Sequence, residues 1–280
     1  PSKNKQYQPK SISEYASYYD EVMEDAQESN TKKQDSYEKT ANTWIEKKRS
    51  LIKEAKENNT IQDIFKFNTF FPYLTVRDSQ QQLIQDIHSA INNNRHIIAH
   101  APTGLGKTIA SLGPALEYAV RAQKTVFFLT SRQTQHRMAV RTLKDIKEKY
   151  NLSFDILDII GKKGMCLQEG IEGLSGSDFS EFCKNAKKER TCEYYNNTRK
   201  ASGMMKMEAE VFLDQTQGNI LSTADLISSC KSNRLCPYEV ALMKGETAQV
   251  IISDYSYVFH PSIREIFFKK LGLQLEDCII

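Results

Sequence analysis

The chain has 280 residues, 40% hydrophobic and 26% charged, with a net charge of +3. That is enough for one large domain or two smaller ones with real cores, in the composition range of an ordinary globular protein. No run of about 18 apolar residues offers a membrane-spanning helix, the polar start Pro1-Ser2-Lys3-Asn4-Lys5 has no apolar signal core, and a charge this near balance does not by itself announce nucleic-acid binding.

Residues 1–64 are polar, charge-balanced and without a catalytic motif. Helical periodicity over Ser13–Gln27 and Tyr37–Lys56, with Trp44, Ile45, Leu51 and Ile52 to dock one helix, predicts a helical extension. From residue 65 the character changes to an aromatic cluster of Phe65, Phe67, Phe70, Phe71, Pro72 and Tyr73. A helix over Asp78–Asn93 follows, with Leu83, Ile84, Ile87 and Ile91 on one face. Ile97–His100 reads as a short buried strand, and Thr108–Arg121 as a helix.

Between those two lies Ala101-Pro102-Thr103-Gly104-Leu105-Gly106-Lys107-Thr108. This is a phosphate-binding loop with alanine at its first position. Gly104 and Gly106 allow a tight turn with bare N–H groups, and the helix that follows adds its positive end. Lys107 places a charge at the β- and γ-phosphates, and the Thr108 hydroxyl suits Mg²⁺. The loop implies a nucleoside triphosphate.

Strands are predicted over Lys124–Leu129, Phe154–Ile160, Gln249–Ser253 and Leu275–Ile280, and helices over Gln133–Tyr150 and Tyr257–Lys270. This alternation implies an α/β fold with a mostly parallel sheet covered on both faces. Residues 161–237 interrupt the rhythm, with helices near Met204–Leu213 and Thr223–Ser229. They hold five of the six cysteines, Cys166, Cys183, Cys192, Cys230 and Cys236, while Cys278 lies in the last strand. Such clustering suggests metal or cluster ligands. Between Cys183 and Lys206 seven basic residues face two acidic ones, a pattern that by itself suits a solvated face.

Four separated segments now stand in one order: Phe71-Pro72-Tyr73 with Arg77 and Gln80, the phosphate loop, Thr130-Ser131-Arg132-Gln133-Thr134-Gln135, and Asp254-Tyr255-Ser256-Tyr257-Val258-Phe259-His260-Pro261. Over residues 68–280 the chain resembles the XPD-like branch of superfamily 2 DNA helicases. The resemblance implies a RecA-like motor domain over 65–160 and 238–280, with 161–237 as an iron–sulfur insertion. It implies ATP and Mg²⁺ on Lys107 and Thr108, Gln80 and Arg77 at the adenine, and Thr130, Arg132 and Gln135 on single-stranded DNA. Cys166, Cys183, Cys192 and Cys236, separated by 16, 8 and 43 residues, become the ligands of a [4Fe–4S] cluster, with Cys230 a free or buried thiol. Spacing alone leaves a Cys₄ zinc site open. Lys184, Lys187, Arg190, Tyr194 and Tyr195 become a surface for single-stranded and fork DNA.

The family's acidic Asp-Glu-Ala-His motif is expected just past Ile280, so the chain reads as a fragment that hydrolyses almost no ATP alone. The resemblance makes the full protein a monomeric 5′–3′ translocase in DNA repair, inside the cell (cytoplasm, nucleoid or nucleus). Rival readings are a DinG-like helicase, a nucleotide- and DNA-binding module that never unwinds, and a zinc-dependent P-loop ATPase.

Overall fold

The computed structural model describes residues 31–36, 38–39, 42–43, 46, 69–73 and 76–280. The helix expected over Ser13–Gln27, the anchors Trp44, Ile45, Leu51 and Ile52, and the aromatics Phe65 and Phe67 lie outside the described residues. Residues 31–36 are helical, and Ser36 Oγ accepts a hydrogen bond of 2.7 Å from Gln249 Nε2.

Helix α1 (Asp78–Asn92) leads by way of an extended segment and the phosphate loop to α2 (Lys107–Ala122). Then come β1 (Thr125–Leu129), α3 (Gln133–Tyr150) and β2 (Ile156–Asp158). The interrupting region holds a 3₁₀ turn (Lys162–Met165), α4 (Gly176–Lys188), α5 (Glu193–Thr198), α6 (Met207–Thr216), α7 (Thr223–Ser232) and α8 (Pro237–Gly245). The chain closes with β3 (Val250–Ser253), α9 (Ser256–Phe259), α10 (Pro261–Leu271), a 3₁₀ turn (Leu275–Asp277) and β4 (Cys278–Ile279). The four strands form one parallel sheet in the order β2-β3-β1-β4.

Strand side chains alternate between faces, and the alternation sorts the core into two halves. Val126, Val250, Ile252 and Ile156 point to the face covered by α1, α2 and α3. Phe127, Ile251 and Leu157 point to the other, covered by α8 and α10 together with α6 and α7. Ala209, Phe212, Leu226 and Leu235, all within 161–237, are therefore part of the sheet's own core.

Three expectations are corrected. Ile97–His100 is not a strand but exposed extended chain, with Ile98 fully open. A strand needs a partner along its length, and this segment pairs with no strand among the described residues. The helix expected over Tyr257–Lys270 is two helices, because Pro261 disfavours helical geometry at the residue before it and His260 is extended at φ −89°, ψ 113°. The last strand shrinks from Leu275–Ile280 to two residues behind a 3₁₀ turn.

Candidate functional site

Gly104 and Gly106 both take positive φ, +83° and +86°, a region that costs other residues strain. Gly106 is the N-cap of α2, so the loop's last turn feeds directly into the helix. A β-carbon at Gly106 would also overlap Gln80 Nε2. The Lys107 ammonium folds back on the loop and donates to the carbonyls of Ala101 (3.2 Å) and Pro102 (2.9 Å). Leu105 is buried beneath, Pro102 and Thr103 are exposed, and Thr108 sits half-buried in the first turn of α2. Arg77 and Gln80 are brought to this loop from the start of α1. Arg77 Nη1 donates to the Gly104 carbonyl at 2.7 Å. Gln80 is 6% exposed, and its Oε1 accepts from the Arg77 backbone N–H at 3.0 Å. The Gln80 amide thus faces the loop rather than open solvent.

The segment after β1 lies beside the end of β3, where Thr130 N–H donates to the Ser253 carbonyl at 3.0 Å. Thr130 is 2% exposed. Its hydroxyl donates to Gln135 Oε1 and accepts from the Arg132 N–H at 3.3 Å. These contacts brace the loop from inside and leave the Arg132 side chain exposed at the N-cap of α3. Beneath them His136 contacts Asp158 at 2.6 Å and the Thr130 carbonyl at 3.3 Å.

Cys166, Cys183, Cys192 and Cys236 line one pocket, walled by Phe179, Phe182, Tyr194, Tyr195 and Tyr238. Among the described residues, no three His, Cys, Asp or Glu side chains converge closely enough for a single metal ion. Burial pushes the Cys166 thiol up. Desolvation, with Glu239 adding to it, takes Cys236 to about 12. Gln168 Nε2 donates to Cys192 Sγ at 3.2 Å, and Thr198 Oγ1 accepts from the Cys236 N–H at 2.7 Å. Cys230, on α7 itself, is fully buried in the core, where burial raises its thiol to about 12.

The basic run divides. Lys184 and Lys188 are exposed on α4, whereas Lys187 and Arg199 both bind Glu239, Arg199 Nε at 2.8 Å. Glu239 is 2% exposed. Burial works against its charge, but Lys187, Lys270 and Arg199 hold its carboxyl at about 2. Lys187 also stands 4.3 Å over the Tyr195 ring, and Arg190 Nη1 reaches the Arg199 carbonyl at 3.3 Å. Tyr194 and Tyr195 face the cysteine pocket. The structure therefore does not gather Lys184, Lys187, Arg190, Tyr194 and Tyr195 on one open surface.

Sequence reasoning passed over Glu239, His136 and Asp158. Glu239 stands in the first turn of α8, just after Cys236-Pro237, with its cationic partners far away in sequence.

Residues 128–280 match the DEAD_2 family. A probable ATP-dependent helicase of Methanocaldococcus jannaschii is 33% identical over 191 residues, 68% of this chain and 26% of that protein. The ATP-dependent DNA helicase XPD of Sulfolobus acidocaldarius is 28% identical over 69% of this chain and 30% of its own. The ATP-dependent DNA helicase DinG of Escherichia coli is 24% identical over 67% and 29%. A solved chain titled Truncated XPD matches at 25% identity and a TM-score of 0.43, over 66% of this chain and 47% of that one. The chain thus spans between 26% and 30% of the length of these three relatives.

Proposed function

The chain belongs to the DEAD_2 family, and from that premise we propose that it is the nucleotide- and strand-binding part of the first motor of an ATP-dependent DNA helicase. The observation that carries this reading is the phosphate loop, with Gly104 and Gly106 in left-handed geometry at the entry to α2. Backbone N–H groups there meet phosphate oxygens, and Lys107 leaves its loop carbonyls for the β- and γ-phosphates. Thr108 would hold Mg²⁺, which neutralises charge between those phosphates when bound. Arg77 and Gln80 shape the adenine side of the loop. Arg132 meets the phosphates of a single strand, in contacts that carry no sequence information. The buried Thr130 holds that loop from inside, and the exposed Gln135, bonded to it, stands on the same loop as Arg132. Lys184 and Arg190 extend the cationic path toward fork DNA.

The four pocket cysteines fit an iron–sulfur group. Zinc at about 2.3 Å from four thiolates and a [4Fe–4S] cluster take the same donor set, and iron and sulfide assays tell them apart. Bound there, the cluster would tie α4 and α5 to the core. ATP-driven 5′–3′ movement and a part in DNA repair are proposed for a protein of the relatives' length, with the acidic pair and second motor that transition-state charge requires.

The test is the affinity of this chain for a fluorescent ATP analogue. The Lys107→Ala variant should bind at least about tenfold more weakly, about 1.4 kcal/mol. Equal affinity overturns the site. For the insertion, iron and sulfide assays together with visible absorbance should be positive and be lost in Cys166→Ser. Stoichiometric zinc without iron overturns that part.

A further inference from the structure

His136, in the first turn of α3, is buried with Asp158 of β2. Its Nδ1 lies 2.6 Å from Asp158 Oδ1 and its Nε2 lies 3.3 Å from the Thr130 carbonyl oxygen. A carbonyl only accepts. Asp158 also accepts with its second oxygen, Oδ2, from the Thr223 N–H at 2.7 Å, so both of its oxygens are engaged. A neutral imidazole carries one N–H and satisfies one of two acceptors, leaving a ring lone pair against the other oxygen. Only a ring with both nitrogens protonated donates to both. The charged groups acting on it are Asp158 from β2 and Asp254 beyond the end of β3. Burial opposes its charge, but these two and the Thr130 carbonyl raise its pKa above the ordinary 6.5.

The same cluster reaches across the molecule. Thr223 is the first residue of α7, and its hydroxyl donates to the Asp158 carbonyl at 3.0 Å. One carboxylate therefore joins the loop that carries Arg132 to the helix that leads toward Cys236. We infer that His136 is a positioning residue, a doubly protonated clamp that grips the Thr130 carbonyl and fixes the Arg132 loop in one frame with β2 and α7. When the ring loses a proton, the N–H facing the carboxylate is the one kept, because the charge-assisted bond is stronger. The Thr130 carbonyl is then released, and the loop is no longer held in the shape that presents Arg132.

This inference rests on the reading that Arg132 meets a single strand, and the experiment separates the two. Binding of a fluorescent oligo-dT by this chain is measured at fixed ionic strength from about pH 6 to about pH 9, the range in which histidine changes charge. Wild-type affinity should fall about fivefold to tenfold across it, the scale of one hydrogen bond to a charged group. His136→Asn puts an amide nitrogen where Nδ1 stands, keeps Asp158 and leaves Thr130 unclamped. It should bind weakly with a flat profile. His136→Gln reaches the Nε2 position and should bind within about twofold of the wild type at low pH, also flat. Wild-type affinity and pH profile in His136→Asn overturn the clamp, provided that Arg132→Ala is weakened. An Arg132→Ala chain that binds like wild type overturns the strand reading and the inference with it. A ¹⁵N spectrum of the wild-type protein decides the protonation directly: two protonated ring nitrogens near pH 6.5 support the clamp, and a neutral ring overturns it.

Discussion

Gly104 and Gly106 look alike in sequence, but the structure asks different things of them. Both hold positive φ, yet a β-carbon at 104 meets nothing while one at 106 overlaps Gln80. Gly104→Ala should cost only left-handed strain, about 1–2 kcal/mol. Gly106→Ala should also push Gln80 off its Arg77 bond and lower nucleotide affinity more than Gly104→Ala does; equal loss in a titration with the ATP analogue would show that Gln80 does not support the loop. Glu239 poses a different question, since its carboxylate sits among Lys187, Arg199 and Lys270. Glu239→Gln should destabilise the chain by about 2 kcal/mol at neutral pH by leaving the half-buried Lys187 and Arg199 without their carboxylate. The native carboxyl titrates near 2, below its ordinary 4.5. Its contribution is thus complete above about 4.5 and is lost as pH falls toward about 2. Urea midpoints of the two proteins should converge over that window; a constant gap would mean that the carboxylate charge is not what stabilises. The phosphate loop was legible because its chemistry lies within eight neighbouring residues. Glu239 was not, because its partners stand 52 and 40 residues away.

At the scale of elements, periodicity carried most of the fold. Helices α1, α2 and α3 begin and end within a residue or two of where apolar spacing puts them, because α1 and α3 each bury one stripe, α1 against α2, and α2 is buried nearly all round. What local pattern does not encode is pairing. Ile97–His100 has strand composition, but a strand exists only beside a partner, and β4 pairs with β1 over two residues. The break before α10 was readable from Pro261 and was overridden by the apolar spacing across it. Helix α2 offers a test of packing against propensity. Gly113 lies inside the helix, where alanine is favoured by about 1 kcal/mol, yet a β-carbon there would overlap the Phe70 backbone carbonyl. Backbone cannot swing aside as a long side chain can, so overpacking of about 1–3 kcal/mol should win. Gly113→Ala should unfold at lower temperature than wild type, and a raised melting temperature would mean that the Phe70 segment yields.

Across the whole molecule, residues 161–237 behave as two parts. Helices α6 and α7 place Phe212, Ala209, Leu226 and Cys230 in the core beneath the sheet, with Leu235 just beyond. Helices α4 and α5 bury almost nothing of their own: only Phe179 and Thr198 are fully covered. These two helices wall the cysteine pocket instead, and their other ties run through Lys187 and Arg199 on Glu239, Asn197 on the Arg234 carbonyl, Glu193 on Arg234 and the Thr198 hydroxyl on the Cys236 N–H. A segment with so little apolar burial opens at low free energy unless something else holds it. If thiolates at the pocket supply that hold, Cys183→Ser should free α4 and α5 while leaving the sheet and α6–α8 in place. Brief trypsin treatment should then cut at Lys184, Lys188 and Arg190 at least about tenfold faster than in wild type, as local opening becomes easier by about 1.4 kcal/mol or more. Sites in α3 and α8 should stay protected. Equal cleavage in both proteins would mean that the Glu239 ion cluster and the hydrogen bonds of α5 secure α4 and α5 without the thiolates, and cleavage throughout the chain would mean that the cysteines hold the sheet as well.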